Sequence, residues 1–212
     1  MKRLLCYGDS NTYGHNPANG DRLPDEERWT GILAAALGQE WQVIEEGLCG
    51  RTISREDATS YGRNGLSYLE PCLCSHFPLD AVVIMLGTND LQCVYGAIPQ
   101  TVAQSMDRFL NRLESVLSSA DQHPKVLLIS PVLIGDTSVN SFFGELFPPE
   151  VAGPYSRRLG PLYRKLAANH HCLFLDGAAV AQASTLDGLH MDGENHQKLA
   201  MAVLQVLQES AL

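Results

Sequence analysis

The stretch Leu4-Leu5-Cys6-Tyr7-Gly8-Asp9-Ser10-Asn11-Thr12-Tyr13-Gly14 decides how the chain is read. Its first four residues are an apolar run of strand length. The Gly-Asp-Ser that follows ends the strand in a turn and leaves a serine hydroxyl at the carboxyl end of a sheet. In open α/β sheets ligands bind at that edge. A serine nucleophile needs exposure on one side and a rigid mount on the other. Gly, Asp and Ser are also ordinary turn residues, so the tripeptide carries weight only through the rest of the chain.

Strand-like runs and helix-like segments alternate along the sequence. Strands are expected at Lys2–Tyr7, Trp41–Ile44, Leu79–Leu86, Lys125–Ser130 and Cys172–Leu175. Leu79–Leu86 is almost continuously apolar, as a strand covered on both faces must be. Helical spacing marks Trp29–Leu37, Pro99–Leu117, Tyr155–Ala168 and Leu199–Leu207, and a helix over Leu66–Cys74 is expected to be interrupted by Pro71. This alternation predicts a three-layer α/β/α, flavodoxin-like fold: a five-stranded parallel sheet with helices on both faces, in a single domain over residues 1–212. Right-handed crossovers then put every strand-to-helix turn on one edge. The segment Gly135–Gly153, with Phe142, Phe143 and Pro148-Pro149, is a long excursion of the kind that forms lids or subunit contacts.

Composition narrows the function classes. A net charge of −9 with scattered basic residues argues against nucleic acid as a partner. No apolar run reaches membrane-spanning length, and the apolar start breaks at Gly8-Asp9, too soon for a signal peptide. The chain is therefore expected to be cytoplasmic, with Cys6, Cys49, Cys72, Cys74, Cys93 and Cys172 reduced. Cys72-x-Cys74 has the wrong spacing for a zinc knuckle, and His190, Asp192 and His196 match no zinc pattern, so no metal is expected. No G-x-G-x-x-G or G-K-[ST] follows a strand, so no cofactor is expected either.

Three further blocks fall where the same sheet edge should lie. Glu45-Glu46-Gly47-Leu48-Cys49-Gly50-Arg51-Thr52 follows the second strand, and its glycines let a backbone amide approach a ligand. Gly87-Thr88-Asn89-Asp90 follows the third, where Asn89 can aim its NH2 into the crevice or simply cap a helix. In Asp187-Gly188-Leu189-His190 a carboxylate three residues before a histidine can hold one ring nitrogen and leave the other as a base. Each block alone has an ordinary turn or cap reading. Together they supply a nucleophile (Ser10), a base (His190), a group to orient it (Asp187) and donors for an oxyanion, which are the parts of an acyl-transfer site.

With these blocks in this order, the chain resembles an SGNH hydrolase of the GDSL esterase superfamily over its whole length. It is most similar to the bacterial arylesterase branch, through Ile44-Glu45-Glu46-Gly47-Leu48, Arg51-Thr52, Tyr68-Leu69, Leu79-Asp80 and Ile84–Asp90. The resemblance implies an ester hydrolase acting on short aryl or alkyl esters through an acyl-serine intermediate. Its oxyanion hole would comprise the N–H groups of Ser10 and Gly50 and the side chain of Asn89. Water would be the acceptor, with transfer to alcohols as a side activity, and the protein would be a homo-oligomer. Asn11 stands where the family's name motif has leucine. His15 stands where acyl-transferring relatives carry a bulky aromatic, which weakens the expectation of transfer to alcohols but not of hydrolysis.

Other residues are expected to play supporting parts. Asp9 and Asp90 should fix loops through backbone amides, with Asp90 the fallback for orienting the histidine. His196 should be a packing or capping residue. Cys49 and Cys93 lie near the site without an activating base. Tyr13, His15, Phe142 and Phe143 are candidates for the pocket wall. Carbohydrate deacetylation, thioester or lysophospholipid cleavage, and a non-catalytic small-molecule binding module are the alternatives.

Overall fold

A computed structural model describes residues 1–210. The elements run β1 (Lys2–Gly8), α1 (Ser10–Tyr13), α2 (Trp29–Leu37), β2 (Trp41–Gly47), α3 (Gly65–His76), β3 (Ala81–Met85), α4 (Pro99–Ser119), β4 (Lys125–Ser130), α5 (Ser141–Leu146), α6 (Pro149–Ser156), α7 (Leu159–Asn169), β5 (Leu173–Asp176), α8 (Gly177–Val180) and α9 (Gly193–Glu209). The strands form one sheet in the order β2-β1-β3-β4-β5, and every pairing is parallel. Parallel pairing puts all five carboxyl ends on one edge, as the alternating pattern predicts.

The strand residues divide between two cores by the two-residue period of the pleat. Leu5, Tyr7, Val82, Ile84 and Leu128 pack against Leu69, Leu73, Met106, Phe109 and Tyr163 of α3, α4 and α7. Leu4, Cys6, Ala81, Val83, Met85, Leu127 and Ile129 pack against Trp29 and Leu33 of α2 and Leu199 and Val203 of α9. Fully burying one such Leu or Phe contributes about 1.5–3 kcal/mol, so the two layers dominate the stability of the sheet.

Helix boundaries follow from local chemistry. Asn64 caps α3 by accepting from Ser67 N at 3.2 Å, and Asp192 caps α9 by accepting from Asn195 N at 3.0 Å. Pro99 occupies the first turn of α4, where no amide proton is needed.

Three expectations are corrected. Pro71 does not interrupt α3, because it costs one intrahelical bond at exposed Ser67 while Leu69, Cys72 and Leu73 stay buried. The helix expected over Tyr155–Ala168 is two helices, parted at Arg157-Arg158, with Tyr155 on α6. The last helix begins six residues earlier than its apolar stripe, at Gly193, because Asp192 supplies the cap.

His170, just past α7, ties that helix to α4. Its Nδ1 lies 2.8 Å from Glu114 Oε1 and its Nε2 2.9 Å from Asp107 Oδ1. Burial favours the neutral ring, but the bonds to Asp107 and Glu114 outweigh it and raise the pKa. A raised folded pKa gives stability that is complete below the unfolded ring's value and is lost as pH rises through the folded one. Replacing His170 by Ala should therefore lower the melting temperature more at about pH 5.5 than at about pH 9. Equal losses at both pH values in thermal unfolding would contradict the charged bridge.

Candidate active site

Ser10 opens α1 directly beyond β1. Asp9 precedes it as the helix cap, its Oδ1 accepting from Asn11 N at 3.0 Å. Two glycines seat this turn on the sheet. Gly8 and Gly47 pair in register at the ends of β1 and β2. A Cβ on Gly47 would fall 2.2 Å from Tyr13 N, and one on Gly8 would fall 2.0 Å from Thr12 Oγ1. Any side chain there would lift α1 and carry Ser10 away from the edge.

The Asp187–His190 turn meets Ser10 at that edge. His190 Nε2 is 2.9 Å from Ser10 Oγ, and His190 Nδ1 is 2.7 Å from Asp187 Oδ2. Asp187 Oδ1 also accepts from Leu189 N at 2.8 Å and His190 N at 2.9 Å. All three side chains are buried. Burial would push the Asp187 carboxyl up, but the bonds and charge of His190 and the two amides outweigh it and hold the pKa below the usual carboxylate range. Asp187 is thus ionised, and its bond to Nδ1 leaves Nε2 as the lone-pair nitrogen facing the serine hydroxyl.

Asn89 is held by both ends of its amide. Its Nδ2 donates to Arg51 O at 3.1 Å, and its Oδ1 accepts from Gln92 Nε2 at 3.3 Å. One N–H remains free to point into the crevice. Gly50 lies at the same edge with φ +77°, and Arg63 packs beside it, its Nε 3.3 Å from where a Cβ would stand. Ser10, Gly50, Asn89 and His190 share one cleft of about 720 Å³.

The cleft has two kinds of wall. Phe142, Phe143, Leu146 and Phe147 from the α5 region form the apolar side, so the 135–153 excursion is a cleft wall with helices of its own. Asp57, Thr59, Ser60, Arg63 and Gln92 form the polar side. Phe143 meets the His190 ring edge-on at 5.3 Å, and the His15 ring lies 4.1 Å from it. Burial foremost, then the neighbouring His190, lowers the His15 pKa to about 4, so His15 is a neutral partner.

Asp90 fixes a loop and His196 packs in the core, as expected, whereas other expected roles change. Asp90 does not orient the histidine; both its oxygens accept from Ile53 N, at 3.2 and 3.0 Å. Burial raises its pKa to about 7. Tyr13 does not line the cleft; its ring stacks under Arg22 instead, 4.8 Å from the guanidinium. Cys93 is exposed and donates to Glu145 O, whereas Cys49 lines the cleft with its thiol pKa raised by burial. His196 packs in the core, its Nδ1 accepting from Trp29 N at 3.2 Å, which ties α9 to α2.

The comparisons with known proteins agree with this geometry. The model of the GDSL-like lipase/acylhydrolase family matches residues 6–198. The chain belongs to that family. No curated protein matches it in sequence. Among solved structures, a carbohydrate acetylesterase from Sinorhizobium meliloti is 32% identical with a TM-score of 0.92, covering 99% of each chain. The M. smegmatis aryl esterase is 34% identical, also with a TM-score of 0.92 and 99% of each chain covered. A lipase/acylhydrolase from Enterococcus faecalis, 21% identical over 99% of this chain and 97% of its own, shares the fold at a TM-score of 0.70. The chain is thus a hydrolase of the GDSL esterase class.

Asn11 is the residue whose part the sequence hides. Its Oδ1 accepts from Met191 N at 2.9 Å and its Nδ2 donates to Leu189 O at 3.3 Å, clasping the backbone on either side of His190. A leucine cannot make either bond. Asn11→Leu should therefore cost about 1–3 kcal/mol in denaturant unfolding, the scale for stranding buried polar groups. Unchanged stability would show that the clasp carries no weight.

Proposed function

We propose that the protein is a serine esterase acting on short-chain acyl esters of aryl or small alkyl alcohols through an acyl-enzyme. The observation that carries this reading is the bonded series Ser10 Oγ, His190 Nε2, His190 Nδ1 and Asp187 Oδ2, with links of 2.9 and 2.7 Å, inside a cleft. His190 takes the Ser10 proton as Oγ attacks the ester carbonyl. Ionised Asp187 stabilises the resulting imidazolium and holds its tautomer. The N–H groups of Ser10 and Gly50 and the free N–H of Asn89 receive the oxyanion. His190 then returns its proton to the departing alkoxide. Water, activated by the same imidazole, releases the acid; an alcohol entering in its place yields a new ester.

The apolar wall of Phe142, Phe143 and Leu146 favours aryl or alkyl groups. The polar lining supports a second reading, deacetylation of carbohydrates, because Asp57, Thr59, Ser60, Arg63 and Gln92 offer hydrogen bonds to hydroxyl groups. The two readings share the chemistry and differ only in the alcohol.

Kinetics on p-nitrophenyl acetate test the mechanism. Ser10→Ala should abolish turnover with the fold intact by circular dichroism, and Asn89→Ala should lower kcat by about 100- to 1000-fold. Wild-type rates in a folded Ser10→Ala protein would refute the nucleophile. Comparing kcat/KM for p-nitrophenyl acetate and acetylated sugars decides the alcohol: the first reading requires the aryl ester to lead, the second the sugar.

A further inference from the structure

Among the described residues, two groups of three His, Cys, Asp or Glu side chains bring their ligand atoms within 4.8 Å of one another. One, His15 with Asp187 and His190, belongs to the cleft, where His190 is already engaged on both nitrogens. The other is Glu46, Cys72 and His76. None of these three lines the cleft.

We propose that Glu46, Cys72 and His76 bind a borderline-soft divalent cation, zinc foremost, with water completing its coordination. Cys72 and His76 stand four residues apart on α3 and so share one helix face. Glu46, near the end of β2, comes across to meet them. A thiolate, an imidazole and a carboxylate are the donor types that zinc takes in tetrahedral sites. Softer copper would also fit, whereas magnesium and calcium would not choose sulfur.

The spacing suits the ion. His76 Nε2 and Glu46 Oε1 are 3.0 Å apart. Zinc bond lengths at a tetrahedral angle call for about 3.4 Å, an opening of about 0.4 Å. The sulfur needs about 3.6 Å to either partner, within the 4.8 Å span of the group. Cys72 is fully buried, whereas the side chains of Glu46 and His76 are 19% and 25% exposed. The ion would enter between the two polar groups and rest on the sulfur, with its water facing out.

The surroundings hold the carboxylate for this role. Arg51 Nη2 lies 3.9 Å from Glu46 Oε2, on the oxygen not facing His76, and Tyr68 Oη lies 3.5 Å from Oε1. Arg51 is fixed through Nη1, which donates to Gly8 O at 3.1 Å and to Glu46 O. Such outer partners orient ligating groups. Binding breaks the Cys72 S–H bond, forms a metal–sulfur bond and sends the proton to water. His76 binds as the neutral ring. The two anionic ligands then cancel the charge of the ion, so Arg51 faces no net cation. Because binding releases the thiol proton, metal affinity should rise with pH.

The test uses reduced, chelator-stripped protein titrated with Zn2+ by calorimetry and with Co2+ by absorption. One equivalent should bind and release about one proton. Cobalt should show a thiolate-to-metal charge-transfer band, and zinc should raise the melting temperature. His76→Gln and Cys72→Ser should each weaken binding by at least about 100-fold, the upper range for losing even a supporting partner. Cys74→Ser, an exposed thiol, should change nothing. His76 is partly exposed, so its variant keeps the test valid if Cys72→Ser misfolds. The proposal is overturned by no binding, by undiminished binding in His76→Gln, by cobalt lacking the sulfur band, or by loss of that band in Cys74→Ser. Ester hydrolysis enters none of these readings.

Discussion

The hydrogen bond from Ser10 to His190 joins groups 180 positions apart, and the arrangement of the site depends on it. A parallel sheet makes it attainable by collecting every strand's carboxyl end on one edge. Gly8 and Gly47 let α1 settle onto that edge. Asn11 then clasps the backbone on both sides of His190, so one short helix carries both the hydroxyl and the grip on its partner. Asp187 fixes the histidine from behind through ring and backbone together. Each device is a short polar contact mounted on a large apolar core, which keeps Ser10 Oγ and His190 Nε2 within bonding distance.

Burial separates the carboxyl groups near the edge into two kinds. Asp187 gathers a ring nitrogen and two amides, and its pKa falls. At Asp9 burial dominates and outweighs the Asn11 amide and the charge of His190, so its pKa rises to about 6. Asp90, higher still, has the Ile53 amide as its bonded partner. Environments that push like groups apart are how one site fixes which carboxylate is charged. His15, kept neutral against His190, adds no positive charge beside the imidazolium that the proposed mechanism forms.

Much of this was legible in the chain. The five strands lie where apolar runs predict them, and the four blocks meet at one edge because parallel topology leaves them no other place. The failures have physical causes. Asn11 reads only as a departure from the leucine of the family motif, because its partners are backbone atoms far along the chain. Asp90 fixes a loop through the Ile53 amide, as expected, and only its fallback role beside His190 falls away. The break at Arg157-Arg158 lies within an uninterrupted apolar stripe, so periodicity alone joins α6 to α7. The meeting of Glu46 with Cys72 and His76 is likewise hidden from spacing, because the carboxylate comes from a strand and the other two from a helix.

The central claim is that Ser10 is the nucleophile and His190 activates it. Reaction with a fluorophosphonate, followed by peptide mass spectrometry, tests this most directly. The account predicts one adduct on Ser10, absent in Ser10→Ala and formed far more slowly in His190→Ala. An adduct on any other residue, or labelling of Ser10 at the same rate without His190, would contradict it.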